Sequence, residues 1–437
     1  MSDRASSFSS FRDRIEILKP LAVRDFAFLW TGMTISMIGD GIYLVSIAWE
    51  VLSIENRPGA LALVGVAWSL PQVVLVLASG ALSDRLERRH LMIAGDAIRL
   101  VAIGTLGVLS ITDQLDSIPV ILGLVTVYGA GQAVFQPAFS SITPTIVPAE
   151  MLVQANSLAQ LVRPFAMTLV GPLVGGVLIS VGGDRAGLAF LVDAATFAFS
   201  AVMILSMRTR RVPRDAQEEQ TSFLADVGEG LRYVKEQRWL LIAMVAATVS
   251  LLAVWGPWET LVPVVVKNDL RGKAWALGLV FGAGGFGAVI AAAVFGQRGT
   301  LPRKPLTAMY LAWALGMFGT AGFGVVTAVW QAMGVALITE ASITYLVVVW
   351  VTLVQRLVPD RLLGRVFALD WMISTMGVPL SFAITGPAAE AIGHDATLIW
   401  AGAIGGTITI AFMFVQGARD PERDGSLAPT ERSVTPA

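Results

Sequence analysis

The stretch GALSDRLERRHLM, from Gly80 to Met92, is a charged turn between two long apolar runs. The runs on either side, at 61–82 and 91–111, are each as long as the roughly 20 residues that a helix needs to cross a bilayer. Two such runs joined by a short polar turn predict a helical hairpin that crosses the membrane and returns. The same pattern extends in both directions along the chain.

The overall composition is that of a membrane protein. The 437 residues are 55% hydrophobic and 14% charged, with a mean hydropathy of +0.70, whereas a soluble domain carries about 25% charged residues. The net charge of −1 gives no global attraction to nucleic acid, so we expect no such partner. The absence of cysteine excludes disulfides and thiol catalysis. Only two histidines occur, far apart in sequence, so we expect neither a metal site nor a cofactor.

Twelve apolar runs are long enough to span a bilayer. They lack the strict alternation of β-barrel strands, so the predicted fold class is an all-α membrane protein in two six-helix bundles. The predicted spans one to twelve lie at 27–52, 61–82, 91–111, 118–139, 155–181, 186–206, 240–265, 275–297, 306–326, 329–354, 366–390 and 395–416.

The basic residues orient these spans. Of the 31 Lys and Arg residues, five fall in the predicted outer loops and two, Arg99 and Arg163, inside spans; all others lie on the side of the N-terminus. Because positive residues collect on the cytoplasmic side, we predict that both termini are cytoplasmic. The predicted regions are a tail at 1–26, an N-terminal six-helix bundle at 27–206, a linker at 207–239, a C-terminal six-helix bundle at 240–416 and a second tail at 417–437.

The linker contains SFLADVGEGLRYV, in which apolar residues recur on one helical face. This periodicity predicts an amphipathic helix on the inner membrane surface. A flexible linker without a helix is the alternative. The apolar face comprises Phe223, Leu224, Val227, Leu231 and Val234.

The two halves of the chain resemble each other. IVPAEMLVQANSLAQ, at 146–160, leads into span five, and LVPDRLLGRVFALDW, at 357–371, leads into span eleven. The offset is close to half the chain. Repeated six-span halves are typical of secondary transporters that rock one half against the other.

The turn between spans two and three resembles the G-x-L-x-D-R-x-G-R-R-x-x-L signature of the major facilitator superfamily. Glu87 replaces the usual glycine and Met92 the usual leucine. The resemblance implies a conformational latch on the inner side, in which the acid faces a helix end and the arginines bind carboxylates or lipid phosphates. An ordinary basic loop is the alternative. The implied latch residues are Gly80, Asp84, Arg85, Arg88 and Arg89.

Span five contains GPLVGG, which resembles the core of the antiporter signature of proton-coupled efflux pumps. Met167 stands where that signature has a further glycine. Glycines let helices approach closely, and the proline is expected to bend the span. Simple helix packing is the alternative. The residues concerned are Gly171, Pro172, Gly175 and Gly176.

Further stretches resemble the drug-exporter branch of the superfamily, with its macrolide-efflux and enterobactin-exporter-like proteins. They are YGAGQAVFQPAF in span four, FLVDAATF in span six and GDAIRL in span three. The resemblance implies a multi-pass protein of the bacterial cytoplasmic membrane. Many proton-coupled relatives have an arginine in span four, which is uncharged here; Arg99 or Arg163 are the candidates to replace it.

Span one carries an acid, Asp40, near its middle. It lies on a stripe of small and polar residues that spans about 120° of the helix and should face the bundle interior: Gly32, Ser36, Gly39, Asp40, Tyr43, Ser46 and Glu50. Glu340 lies at a similar depth in span ten. An ionisable residue in a span is a functional candidate by default.

Two roles suit these carboxyl groups: to exchange a proton during transport, or to pair with a cationic substrate. The structural alternative is an ion pair with Arg99 or Arg163 that holds helices together. Asp96 lies three residues before Arg99, and we interpret that pair as structural. Glu50 and Glu259 lie towards the outer ends, where we expect them to be solvated, and the role of Asp193 is left open.

The leading interpretation is a secondary transporter, not an enzyme, that exports amphipathic compounds, cationic ones among them, in exchange for protons. An exporter of one metabolite or siderophore and a non-transporting receptor are the alternatives. The chain lacks the GxxxxGK[ST] motif of ATP hydrolysis. We expect a small-molecule substrate, protons and lipid as partners, and a monomer. The expected cavity lining is Tyr43, Gln132, Gln136, Trp255, Trp258, Thr344, Trp371 and Met376.

Overall fold

The computed structural model describes residues 16–85, 87–148, 151–208, 223–298 and 301–424. It describes the backbone only at 16–17, 76–85, 140–141, 144, 153, 156–157, 159–161, 223–227, 296–298 and 360–361. The part of the chain that it describes is helical and contains twelve spans long and apolar enough to cross a membrane. We call the end of the bundle that carries both termini the inner end, following the predicted orientation.

Spans one to six form the N-terminal half. Their helices are Arg24–Ile54, Pro58–Arg85, Arg88–Ile111 and Ile118–Ile146, then span five in the three segments Leu152–Arg163, Pro164–Val170 and Gly171–Val181, and Gly187–Leu205. A short helix, Glu16–Ala22, precedes span one.

Spans seven to twelve form the C-terminal half. Their helices are Arg238–Val264 continued by Val265–Asp269, Ala274–Arg298, Pro305–Phe323, Val329–Leu357, span eleven as Asp360–Thr375 and Val378–Ile392, and His394–Met413. The last helix of the chain described is Asp420–Arg423.

Span five is irregular, but not where the sequence indicated. The stretch Pro164–Val170 is a π-helix, with wider turns than its neighbours. Pro164 begins it, because proline lacks the N–H that would continue the α-helical ladder. Pro172, expected to bend the span, instead lies in the first turn of Gly171–Val181, where its missing N–H costs little.

The linker helix, Phe223–Glu236, packs against protein. Val234 is fully buried, Arg365 of span eleven forms an ion pair with Glu229, and the Tyr233 hydroxyl donates to the carbonyl of Leu357 at 3.2 Å. Burial raises the pKa of Tyr233, so that this hydroxyl stays a donor. The described residues of its apolar face, Leu231 and Val234, pack into the core of the C-terminal half. The predicted position of the helix on the inner membrane surface stays a prediction.

The two halves meet at their outer ends. A Cβ added to Gly386 of span eleven would lie 3.0 Å from the Gly59 Cα of span two. A Cβ added to Gly176 of span five would lie 3.1 Å from the Trp275 Cα of span eight. Backbones this close leave no room for side chains, and therefore the outer end of the interface is closed.

Candidate functional site

Asp40 lies near the middle of span one with its side chain 12% exposed. The Tyr128 hydroxyl, from span four, donates a hydrogen bond of 2.8 Å to its Oδ1. The same oxygen lies 3.8 Å from Nη1 of Arg99, in span three. Asp40 is thus held by two other helices and keeps a small exposed surface, as expected of an acid in the bundle interior.

Arg99 is the buried cation of this region. Its Nη2 donates to Asp96 Oδ1, and its guanidinium lies between two rings, 4.5 Å from the centroid of Phe135 and 4.3 Å from that of Phe197. The aromatic faces stabilise a cation that has lost its water. The pairing of Asp96 with Arg99 agrees with its structural interpretation.

Asp193, whose role the sequence left open, completes the group. It is fully buried in span six. A Cβ added to Gly39 would lie 2.3 Å from Asp193 Oδ1, so the carboxyl group lies directly against the backbone of span one, beside Asp40. We call Asp40, Asp96, Arg99, Tyr128 and Asp193 the N-half cluster. It contains three carboxyl groups and one guanidinium.

Arg163, the other basic residue inside a span, is the last residue of the first segment of span five. Its side chain is exposed, yet close enough to Asp40 for the two charges to interact. Both observations fit a side chain at the wall of an open cavity. Arg163 can therefore attract Asp40 without being buried with it.

Glu340 and Glu259 form a second acidic site in the C-terminal half. Both side chains are half-buried, and Glu259 of span seven is close enough to Glu340 for the two carboxyl groups to interact electrostatically. In the part of the chain described, no hydrogen bond or ion pair is formed by either carboxyl group. A Cβ added to Gly284 of span eight would lie 2.9 Å from Glu340 Cγ, so the Glu340 side chain points towards span eight.

Two acids near the outer ends are therefore not placed as expected. Glu259 is half-buried, and the charge of Glu340 acts on it. Glu50 is only 7% exposed, and its two oxygens accept hydrogen bonds from Ser110 Oγ at 2.6 Å and the Ala186 N–H at 3.1 Å. These two donors stabilise the buried carboxylate and tie Glu50 of span one to span three and to the start of span six.

Only part of the predicted latch is described. The helix of span two ends at Arg85, and its last turns include Gly80 and Asp84. The side chains of this part of the helix lie outside the described residues. Arg89 donates to the carbonyls of Ile204 at 3.0 Å and Leu205 at 2.5 Å. It thereby satisfies carbonyls at the C-terminal end of span six. The latch role of Arg88 and the others stays a prediction.

The GPLVGG glycines are sites of close helix approach. A Cβ added to Gly171 would lie 2.6 Å from the Gly41 Cα, and one added to Gly175 would lie 3.2 Å from the Ile42 Cα, both in span one. Gly176 faces span eight of the other half, as described above. The motif therefore packs one span against both halves; its part in antiport stays a prediction.

The expected cavity residues fall into two groups. Tyr43 is buried, with its ring centroid 4.5 Å from that of Tyr128. Gln132 accepts a hydrogen bond from Trp68. Neither side chain lines an open cavity. Trp258 is half-buried against Phe323, at 5.3 Å between centroids. The remaining members are exposed or half-buried: Gln136, Trp255, Thr344, Trp371 and Met376.

One surface group in the described residues can supply three metal-ligand atoms. His394 Nε2 lies 2.7 Å from Asp269 Oδ2 and 3.5 Å from Asp395 Oδ1, at the outer ends of spans seven and twelve. Exposed groups of this kind also form as simple hydrogen-bonded pairs, and we assign no metal to it.

Twelve spans in two six-helix halves, with charged residues inside each half, define the fold of a major facilitator transporter. The chain matches the family model described as transmembrane secretion effector over residues 15–433, and it belongs to that family. This confirms the resemblance to the major facilitator superfamily, and the family and fold are those of transporters rather than enzymes. The chain is a multi-pass bacterial membrane protein.

Similar proteins include exporters. Macrolide efflux protein A of Streptococcus pyogenes is 23% identical over 87% of this chain and 93% of its own length. The multidrug efflux pump Tap of Mycolicibacterium fortuitum is 26% identical over 87% of this chain and 91% of its own length.

Solved structures share the fold. The nucleoside transporter NupG superposes with a TM-score of 0.67 at 10% identity, covering 89% of this chain and 98% of that one. A bacterial homologue of the iron transporter ferroportin, in an inward-facing state, superposes with a TM-score of 0.63 at 17% identity, covering 89% and 98%.

Proposed function

We propose that this transporter exports amphipathic small molecules, cationic ones among them, in exchange for protons, by alternating access between its two halves. The observation that supports this most directly is the excess of buried carboxyl groups over cations in the N-half cluster. Charges of this kind are costly inside a bilayer unless they are compensated. A proton is the simplest compensating cation, and its arrival and departure can drive a cycle.

Asp40 is the proton site in this proposal. It is the one carboxyl group of the N-half cluster with exposed surface, so water can reach it. Tyr128 and Arg99 both stabilise its charged form, and desolvation opposes it. A carboxyl group between such opposing influences can change protonation when a rearrangement of the helices moves one partner away.

Glu259 and Glu340 are the candidates for the cationic part of the substrate. The sequence has no Lys or Arg in the interiors of spans seven to twelve, between 239 and 266, 275 and 297, 305 and 355, or 366 and 413. A protonated amine can therefore compensate these acids without competing with an internal cation. Trp255 and Trp258, in the same span as Glu259, offer aromatic faces to the apolar body of a ligand.

The names of the relatives support export of organic compounds. One relative, at 23% identity, is named as an exporter of macrolides. The other, at 26% identity, is named as a multidrug efflux pump. Many such compounds join an apolar body to a basic amine. That chemistry matches an acidic pair beside aromatic side chains.

The proposal is tested in proteoliposomes with an imposed proton gradient and two probes, ethidium and a macrolide that carries a tertiary amine. Asp40→Asn should abolish uphill, gradient-driven transport and retain exchange of probe for probe, because the amide keeps the shape of the side chain but does not exchange a proton near neutral pH. Glu340→Gln should instead weaken probe binding measured without a gradient. Glu236→Gln, on the exposed face of the linker helix, is the matched control.

Uphill transport by Asp40→Asn with an unchanged proton response would make Asp40 structural. The coupling role would then pass to Glu340, and the same gradient experiment on Glu340→Gln would decide it. A wild-type protein that transports both probes without any response to the gradient would refute proton exchange altogether.

A further inference from the structure

The carboxyl group of Asp193 is buried without adequate partners. Its residue is 0% exposed, and in the part of the chain described its Oδ2 accepts no hydrogen bond. The Thr196 hydroxyl lies 3.4 Å from Oδ1, but its single proton goes to the main-chain carbonyl of Asp193 at 2.6 Å. No described donor therefore stabilises a negative charge on this side chain at close range.

No cation forms a close ion pair with Asp193 among the described residues, although Arg99 attracts it at longer range. The helices around it bring Asp40 from span one, Asp96 and Arg99 from span three, and Arg163 from span five; the hydroxyls of Tyr43 and Tyr128 also face the region. Arg99 is already shared between Asp96 and Asp40. Arg163 is exposed and interacts with Asp40. The charge of Asp40, which does reach Asp193, repels a second negative charge.

Burying an unpaired carboxylate costs far more than burying the neutral acid. Ca²⁺ or Mg²⁺ would require about six or more oxygen ligands, and among the described residues only the carboxyl group and one engaged hydroxyl are at hand. A proton needs one oxygen. We propose that Asp193 holds a second exchangeable proton, which reaches it through Asp40, so that the transporter moves two protons in each cycle. This inference rests on the proposed function.

The route follows from Gly39. A Cβ added there would lie 2.3 Å from Asp193 Oδ1 and 2.2 Å from Thr196 Oγ1, so only glycine lets the carboxyl group lie against span one. Asp40, the next residue, has the exposed surface that Asp193 lacks. During loading the Asp40 carboxyl gives its proton to Asp193, which is charged only until that proton arrives, and Asp40, now charged beside Arg99, accepts the next proton from water. In the opposite state the same transfers run in reverse: Asp40 releases its proton to water, and Asp193 then returns its proton to the Asp40 carboxylate, which releases it in turn. Charge and protons balance at each step.

The experiment measures coupling stoichiometry. Wild type and Asp193→Asn are reconstituted in proteoliposomes, and the ethidium distribution at equilibrium is measured over a series of imposed pH differences with the membrane potential clamped. We expect the slope of the logarithm of the ethidium ratio against the pH difference to correspond to two protons in the wild type and one in Asp193→Asn. Asp116→Asn, in an exposed outer loop, is the matched control and should keep the wild-type slope.

The outcomes separate this inference from the proposed function. A wild-type slope of one proton that Asp193→Asn leaves unchanged would overturn the second proton and leave Asp40 as the coupling site. A wild-type slope of zero would overturn proton coupling itself. Asp193→Ser, a smaller side chain without a carboxyl group, supplies the same measurement if the asparagine variant does not fold, and an unchanged slope there is equally contrary to the proposal.

Discussion

The ammonium group of Lys267, at the outer end of span seven, lies 4.8 Å from the ring centroid of Trp49, in span one. The same group donates a hydrogen bond of 3.0 Å to Ser53 Oγ. Glu50 and Asp184 are close enough to attract it. Lys267 belongs to the C-terminal half and these partners to the N-terminal half, so this contact exists only while the outer ends are together.

Loss of the Lys267 charge should open the outer side. Lys267→Met keeps a long apolar side chain but loses the cation–π contact, which is worth about 0.5–1 kcal/mol at an exposed site. We expect the ratio of outward-open to outward-closed molecules to rise roughly two- to fivefold. Spin-label distances across the outer ends measure this ratio. Lys273→Met, in the neighbouring loop, is the control; identical distance distributions in both variants would contradict the assigned contact.

A disulfide across the outer ends should lock the transporter. Asn56 Nδ2 donates to Asn268 Oδ1 at 3.0 Å between the two halves. Because the chain has no cysteine, Asn56→Cys with Asn268→Cys introduces only one possible disulfide. Oxidation should abolish ethidium transport, and reduction should restore it. Each single variant should transport in either condition. Full transport by the oxidised, cross-linked protein would show that the outer ends need not separate.

Removal of the Tyr128 hydroxyl should change how Asp40 binds its proton. Tyr128→Phe deletes the hydrogen bond that favours the carboxylate, so the protonated form gains. The pH at which transport is half-maximal should move upward, and the rate at neutral pH should fall several-fold. Tyr310→Phe is the control, because the Tyr310 hydroxyl is buried without a hydrogen-bond partner among the described residues. A pH profile unchanged by Tyr128→Phe would argue that Asp40 does not titrate.

The docking of the linker helix should depend on one of its two glycines. A Cβ added to Gly230 would lie 2.9 Å from Leu369 Cδ1 and 3.3 Å from Arg365 Cβ, whereas one added to Gly228 would meet nothing within 4 Å. Gly230→Val should therefore displace the helix and slow transport several-fold. Gly228→Val should leave transport at the wild-type rate. Protease sensitivity of the linker reports the displacement directly, and equal sensitivity of the two variants would show that the helix does not need this contact.

Much of the fold was predictable from sequence because it follows from local properties. The length of each apolar run and the high cost of charge in hydrocarbon act on one helix at a time, so the twelve spans and the interior position of Asp40 and Arg99 could be predicted. The irregularity of span five was predicted at the wrong proline. Pro164 and Pro172 lie in the same apolar run, and the sequence alone does not distinguish their effects on the helix. Which proline interrupts the α-helix depends on where the helical segments begin: Pro164 starts the π-helix, and Pro172 falls in the first turn of the next segment.

Several site residues were missed or left undecided for a related reason. Tyr128 was one aromatic among many in the spans, and Glu259 was expected in water because only its distance from a helix end was known. Asp193 carried no sign of its position beside Asp40. A stripe of polar residues on the same helical face could have revealed these positions in the sequence. Such a stripe is hard to recognise where a span is buried on several sides.

By itself the sequence determined the membrane class, the two repeated halves and the family, because apolar length and the motif around Asp84 are written in consecutive residues. Only the tertiary structure decided which charges meet. Tyr128 lies 88 residues from Asp40, and Lys267 is separated still further from Trp49. Such contacts depend on how each helix is rotated and how closely its glycines let it approach its neighbours. The rotation and the separation of each helix are set by the packing of all twelve spans together. Lipid is as apolar as the helix surface, so hydrophobicity alone does not select which neighbour a helix faces.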